Sequence, residues 1–129
     1  MMDLNHFRQV NDRFGHQIGD EILAKFGMLL SELEEEILSC RIGGDEFWVL
    51  MRNIQSVEAV KQKAQELCER IMMMCNGYQE IALSGSIGIS FFPQDGTTLE
   101  DLYAKADEAL YEAKRNGKSQ FVLSQSDFC

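Results

Sequence analysis

Apolar positions recur at helical spacing in three segments of the chain. Ile22, Phe26, Leu29, Leu30 and Leu33 form one stripe, and Val57, Val60, Ala64, Leu67 and Ile71 form a second. A third begins at Thr97 with Glu100 in capping-box register, turns Leu99, Leu102, Ala106, Ala109, Leu110 and Ala113 inward, and stops near Gly117. Short apolar runs read instead as strands: Leu38 to Ile42, Phe47 to Met51, Ile81 to Phe91 and Phe121 to Leu123. Gly43 and Gly44 fall between the first two runs and predict a tight hairpin loop, with glycine supplying the positive φ of a type I′ turn. A stub of strand and a short helix precede the first long stripe. The predicted architecture is α+β, with helices on one side of a mainly antiparallel sheet.

The hairpin carries the strongest chemical signal. Asp45 and Glu46 follow the two glycines directly and leave the turn on opposite faces of the second strand, so one can reach a ligand while the other faces elsewhere. Taken alone, glycines followed by acids also describe an ordinary exposed hairpin. Lys114, Arg115 and Lys118 cluster at the end of the third helix, where they either complement the helix dipole or offer a local basic site for phosphates.

Composition narrows the classes. A chain of 129 residues that is 45% hydrophobic supports one core and one domain. A formal net charge of −9 argues against general nucleic-acid binding, which needs a basic surface. No apolar run reaches the roughly 18 residues of a membrane span, and no charged start leads into an apolar signal segment, which predicts a cytoplasmic protein. Cys40, Cys68, Cys75 and Cys129 lack metal-type spacing and predict reduced, mostly buried thiols. Met72, Met73 and Met74 close an amphipathic helix and predict gap-filling in a core. The acidic run Glu32, Glu34, Glu35 and Glu36 reads as a solvated helix end.

Four blocks in order carry a family resemblance: Asp3 to Asp20, Gly43 to Phe47, Ser84 to Gly96 and Ala106 to Lys118. Together they resemble the GGDEF family, the bacterial diguanylate cyclases. The resemblance implies a ferredoxin-like, palm-type cyclase fold and the condensation of two GTP into cyclic di-GMP with release of pyrophosphate. It implies Mg2+ as cofactor, with Mn2+ as a substitute, held by Asp3, Asp45 and the Leu4 carbonyl. Glu46 is implied in metal organisation or proton removal. The backbone N–H groups of His6 and Phe7 would hold phosphates, as would Lys114 and Lys118, with Gly43 and Gly44 leaving room for substrate. Asn11 and Asp20 match the guanine-reading pair, although each also reads as a polar residue in ordinary helix-end use. His16 reads as structural, at the start of the long helix.

Several departures from the family pattern matter. Asn5 and Arg8 stand where aspartate and lysine are frequent, and Lys118 where arginine is. The Arg-x-x-Asp product-inhibition positions are Glu34 and Ile37, which predicts that this site is absent. Only Met1 and Met2 precede Asp3, which predicts a first strand cut short, neighbouring strand edges left unpaired and a sensory domain upstream in a longer parent. Three readings follow: a cyclase that works as two such domains face to face, a catalytically inactive nucleotide-binding or interaction module, or a cyclase of another nucleotide, against which Asp20 and the Gly43 to Phe47 string both stand.

Overall fold

The computed structural model describes residues 1–5, 7–32, 37–43, 46–73, 84–116 and 120–124. Its elements are β1 (Met2–Asn5), α1 (Phe7–Phe14), α2 (His16–Ser31), β2 (Ile37–Gly43), β3 (Glu46–Met51), α3 (Val57–Met73), β4 (Ser84–Ile89), α4 (Leu99–Arg115) and β5 (Gln120–Leu123). The strands form one five-stranded sheet in the order β2-β3-β1-β4-β5. Every pairing is antiparallel except β4 with β5, which α4 joins as a crossover. The α+β expectation is met.

Alternation along the strands sorts the two faces of the sheet. Met2, Leu4, Phe47 and Ile87 are buried on one face, against Phe26 of α2 and Leu67 and Ile71 of α3. The rings of Phe26 and Phe47 meet edge to face with centroids 4.5 Å apart. On the opposite face lies α4, which corrects the expectation of helices on one side only. Two glycines of β4 explain how both faces are covered at close range. A Cβ on Gly85 would lie 2.5 Å from Ile71 Cδ1 of α3, whereas one on Gly88 would strike the backbone of α4 at the Ala106 carbonyl and the Leu110 nitrogen. The α4 face is correspondingly small, with Ala106, Ala109 and Ala113 all buried.

Both ends of α4 are fastened. Ser90 Oγ donates to the Leu102 carbonyl at 2.9 Å near its start, and Gln120 Nε2 donates to the Asn116 carbonyl at 2.7 Å past its end. The N-cap is Thr98, one residue later than expected, and its hydroxyl accepts from the Asp101 nitrogen at 3.1 Å. Leu99 is exposed, because α4 reaches the sheet only at Leu102. Met72 and Met73 are also exposed: they fall one and two positions past Ile71 and so rotate off the buried stripe of α3. Cys68 is buried, as expected for a structural thiol, but Cys40 is exposed on β2. Met74, Cys75 and Cys129 lie outside the described residues.

Short as it is, β1 occupies the centre of the sheet. It pairs with β3 at Met2↔Phe47 and Asp3↔Glu46, and with β4 from Met2↔Ile87 to Asn5↔Ser84. Among the described residues, Trp48 to Met51 pair with β2 alone. The hairpin register differs from the expected one. Gly43 belongs to β2 and pairs with Glu46 after an irregularity between Arg41 and Gly43, and its φ is outside the left-handed region. Gly44 and Asp45 lie outside the described residues, as do His6, Glu34 and Lys118.

Candidate functional site

Asp3 alternates with Met2 and Leu4 along β1, so it projects onto the α4 face while its neighbours enter the core. Its cross-strand partners there are Glu46 on β3 and Ser86 on β4, the latter fully buried. Cross-strand partners stand roughly 4.5–5.5 Å apart at Cβ, so Asp3 and Glu46 are two neighbouring carboxylates. From the last turn of α4, Lys114 Nζ donates to Asp3 Oδ2 in an ion pair. Asp3 Oδ1 is buried and has no hydrogen-bond partner among the described residues.

Two acids and one ammonium leave this part of the site with a residual negative charge. A buried carboxylate oxygen without a partner is an uncommon expense in a folded protein. Together they fit a hard divalent cation, which takes oxygen ligands and usually only one or two protein carboxylates. The Leu4 side chain is 1% exposed, so only its main chain is available to a ligand. Among the described residues no three His, Cys, Asp or Glu side chains gather as a metal site, and Asp45, the other expected metal acid, is outside them.

Glu46 has support that sequence reasoning missed. Trp48 Nε1 donates to Glu46 Oε1 at 3.3 Å, and the Trp48 ring packs on Tyr103 of α4 with centroids 5.3 Å apart. The signal was present in the sequence, since positions 46 and 48 must share a strand face. Tyr103 and Lys114 thus bring α4 to both acids, one through Trp48 and the other directly.

A second group forms where α1 meets α2. Phe7 opens α1 with its ring buried in the core, leaving a first-turn N–H without an intrahelical partner. Asn11 lies about one helical turn, ~6 Å of rise, farther along α1. Its carbonyl accepts from Gly15 N at 2.9 Å, and Gly15 has a φ of 89°, which glycine adopts without strain as the chain reverses into α2. Gly19 then packs so closely on α1 that an added Cβ would overlap Asn11 Oδ1 and lie 3.4 Å from Phe7 Cζ. Asp20 follows, exposed on α2. Asn11 and the position before Asp20 are therefore in direct contact. Gly43 is exposed, and among the described residues nothing lies within 4 Å of a Cβ placed on it. A separate groove of about 110 Å³ between α4 and β5, lined in part by Lys105, Glu108 and Glu112, shares no residue with either group.

Comparison with known proteins adds four findings. The family described as "Diguanylate cyclase, GGDEF domain" matches residues 1–120. The response regulator PleD of Caulobacter vibrioides is 35% identical over 131 residues, covering 95% of this chain and 28% of that protein. The diguanylate cyclase DgcS of Shewanella oneidensis is 36% identical over 129 residues, covering 96% of this chain and 41% of that protein. The chain therefore spans well under half the length of these relatives. Among solved structures, the active GGEEF domain of a diguanylate cyclase from Vibrio cholerae superposes with a TM-score of 0.86 at 29% identity, covering 98% of this chain and 81% of that one. No helix among the described residues is long and apolar enough to cross a membrane.

Proposed function

The chain belongs to the GGDEF family, and from that premise we propose that it is the catalytic domain of a diguanylate cyclase in bacterial second-messenger signalling. Two GTP molecules condense into cyclic di-GMP. Each 3′-hydroxyl oxygen bonds to the other nucleotide's α-phosphorus as that phosphorus loses pyrophosphate, and the hydroxyl proton leaves to a base or to solvent. The observation that carries the reading is the central acid pair: Asp3 faces Glu46, is paired with Lys114 and keeps one buried oxygen without a partner among the described residues.

Asp3, Asp45 and the Leu4 carbonyl would hold Mg2+ or Mn2+. When bound, that ion neutralises phosphate charge and polarises the α-phosphate. Everything else is positioning and charge by the protein's own groups. The backbone N–H groups at His6 and Phe7 hold the terminal phosphates at the start of α1, and Lys114 and Lys118 approach them as point charges. Glu46, oriented by Trp48, is placed to organise the site or accept the 3′-hydroxyl proton. Asn11 and Asp20 read guanine: a carboxylate accepts from its N1–H and N2 amine, whereas adenine presents an acceptor at N1. Exposed and with no side chain, Gly43 leaves the nucleotide room beside the hairpin.

Each domain brings one GTP, so the working unit is two domains face to face in the cytoplasm, with a sensory domain elsewhere in a longer parent. With isoleucine at position 37 in place of the inhibitory aspartate, feedback through that site is absent. Incubation of the protein with GTP and Mg2+, read by mass spectrometry, should yield cyclic di-GMP. GTP binding without product would select the inactive nucleotide-binding module instead.

A further inference from the structure

Asp3 already holds a cation, the ammonium of Lys114. We propose that Lys114 is the resident counter-ion of Asp3 in the nucleotide-free protein, and that nucleotide phosphates draw it away and so open the carboxylate to a divalent cation. Nucleotide and metal then load as a coupled pair. The proposal rests on the metal-dependent GTP site described above, and it adds an order of assembly to it.

Three observations bear on it. The Asp3 side chain is 16% exposed and the Lys114 side chain 37%, so the acid is fixed in the sheet while its partner has solvent on one side and a flexible stem on which to swing. The ammonium takes Oδ2 and leaves Oδ1 buried without a partner among the described residues, so on their account the carboxylate is half used. Glu46 stands opposite Asp3, and a cation there offsets the repulsion between two neighbouring acids. Because α4 is fastened at both ends, exchange requires only rotation of the Lys114 side chain.

A dication entering at Asp3 meets the ammonium at roughly 5 Å. Even with water-like screening, that repulsion weakens metal binding by roughly tenfold or more. Phosphates that attract the ammonium remove the penalty. By linkage, metal must then raise nucleotide affinity by the same factor that nucleotide raises metal affinity.

The test is a titration of the nucleotide-free protein with Mn2+, followed by electron paramagnetic resonance. Lys114→Met should bind Mn2+ roughly tenfold or more tighter than wild type, and the gain should vanish in Asp3→Asn/Lys114→Met. Equal or weaker Mn2+ binding by folded Lys114→Met would overturn the proposal. A second readout needs no variant: saturating Mn2+ should raise labelling of Lys114 by an amine-selective reagent in the wild-type protein, and unchanged labelling would overturn it too. Neither measurement uses GTP turnover. Product formation without the Mn2+ gain sinks the exchange alone, while the Mn2+ gain without product sinks the cyclase reading alone.

Discussion

Replacing Gly88 with alanine should loosen the packing of α4 on the sheet far more than the addition of one methyl suggests. The new Cβ would meet the Ala106 carbonyl and Leu110 nitrogen and lie 2.9 Å from Leu110 Cα, all backbone atoms that no rotamer change can move. Ordinary contact begins near 3.4 Å, so Leu110 Cα alone makes the helix withdraw by 3.4 − 2.9 = 0.5 Å, and the nearer Ala106 carbonyl and Leu110 nitrogen demand more. Overpacking of this kind costs about 1–3 kcal/mol, here at the upper end because the obstruction is main chain. Alanine recovers about 0.5–1 kcal/mol over glycine within a strand, which leaves a net loss of about 2 kcal/mol. The melting temperature should fall by about 8 °C. Gly27 is the control: it is exposed within α2 and has nothing within 4 Å of an added Cβ, so Gly27→Ala should gain about 0.5–1 kcal/mol. Urea denaturation of both variants decides the matter. A Gly88→Ala midpoint equal to wild type, or an equal loss in Gly27→Ala, would refute the packing argument.

Other expectations follow from the site. From its proposed role as a metal ligand, Asp45→Ala should lower cyclic di-GMP formation on the order of a thousandfold while leaving the fold intact; loss of the circular dichroism spectrum would contradict this. Asp20→Ala should reduce selectivity for GTP over ATP by roughly 10- to 100-fold with metal binding unchanged, as competition binding would reveal. Trp48→Phe keeps a ring on Tyr103 but removes the donor to Glu46, so kcat should fall by up to about tenfold with stability lowered by less than about 1 kcal/mol; an unchanged pH–rate profile would deny Trp48 that role. Burial, with a smaller contribution from Glu69, pushes the Cys68 thiol up to about 11 from an ordinary 9.0. Its protonated form is therefore favoured on folding, a stabilisation complete below pH 9 and lost as pH rises towards 11; a Cys68→Ala variant should show a shallower alkaline decline.

The long helices were legible because each repeats its apolar residues over several turns, and Phe26, Leu67 and Ala109 are buried as that period requires. The face on which α4 packs was not, since periodicity marks which side of a helix is buried and says nothing about which side of a sheet buries it. The glycines of β4 held that information: positions 85 and 88 are an odd number apart and so open opposite faces. Thr97 and Thr98 are adjacent candidates for one cap, and only the bond to Asp101 distinguishes them. Asp3 and Lys114 were each singled out from the family pattern, but their ion pair spans nearly the whole chain and depends on β1 sitting centrally beneath α4. The part of Trp48 went unread because an aromatic residue in a strand looks like core; alternation puts it on the face of Glu46, but its contacts with Glu46 and Tyr103 needed the structure.

The fastening of α4 has a mechanical consequence. Strung between two adjacent parallel strands and pinned at Leu102 and Asn116, the helix behaves as a beam with both ends built in, and it cannot slide without shearing the β4–β5 register. The α1–α2 corner is held differently, by Phe7, Val10, Ile22 and Phe26 in the core and by the contact of Gly19 with Asn11. A push from outside the domain would therefore leave α4 in place as a unit, the main chain at Lys114 keeping its station while the side chain turns.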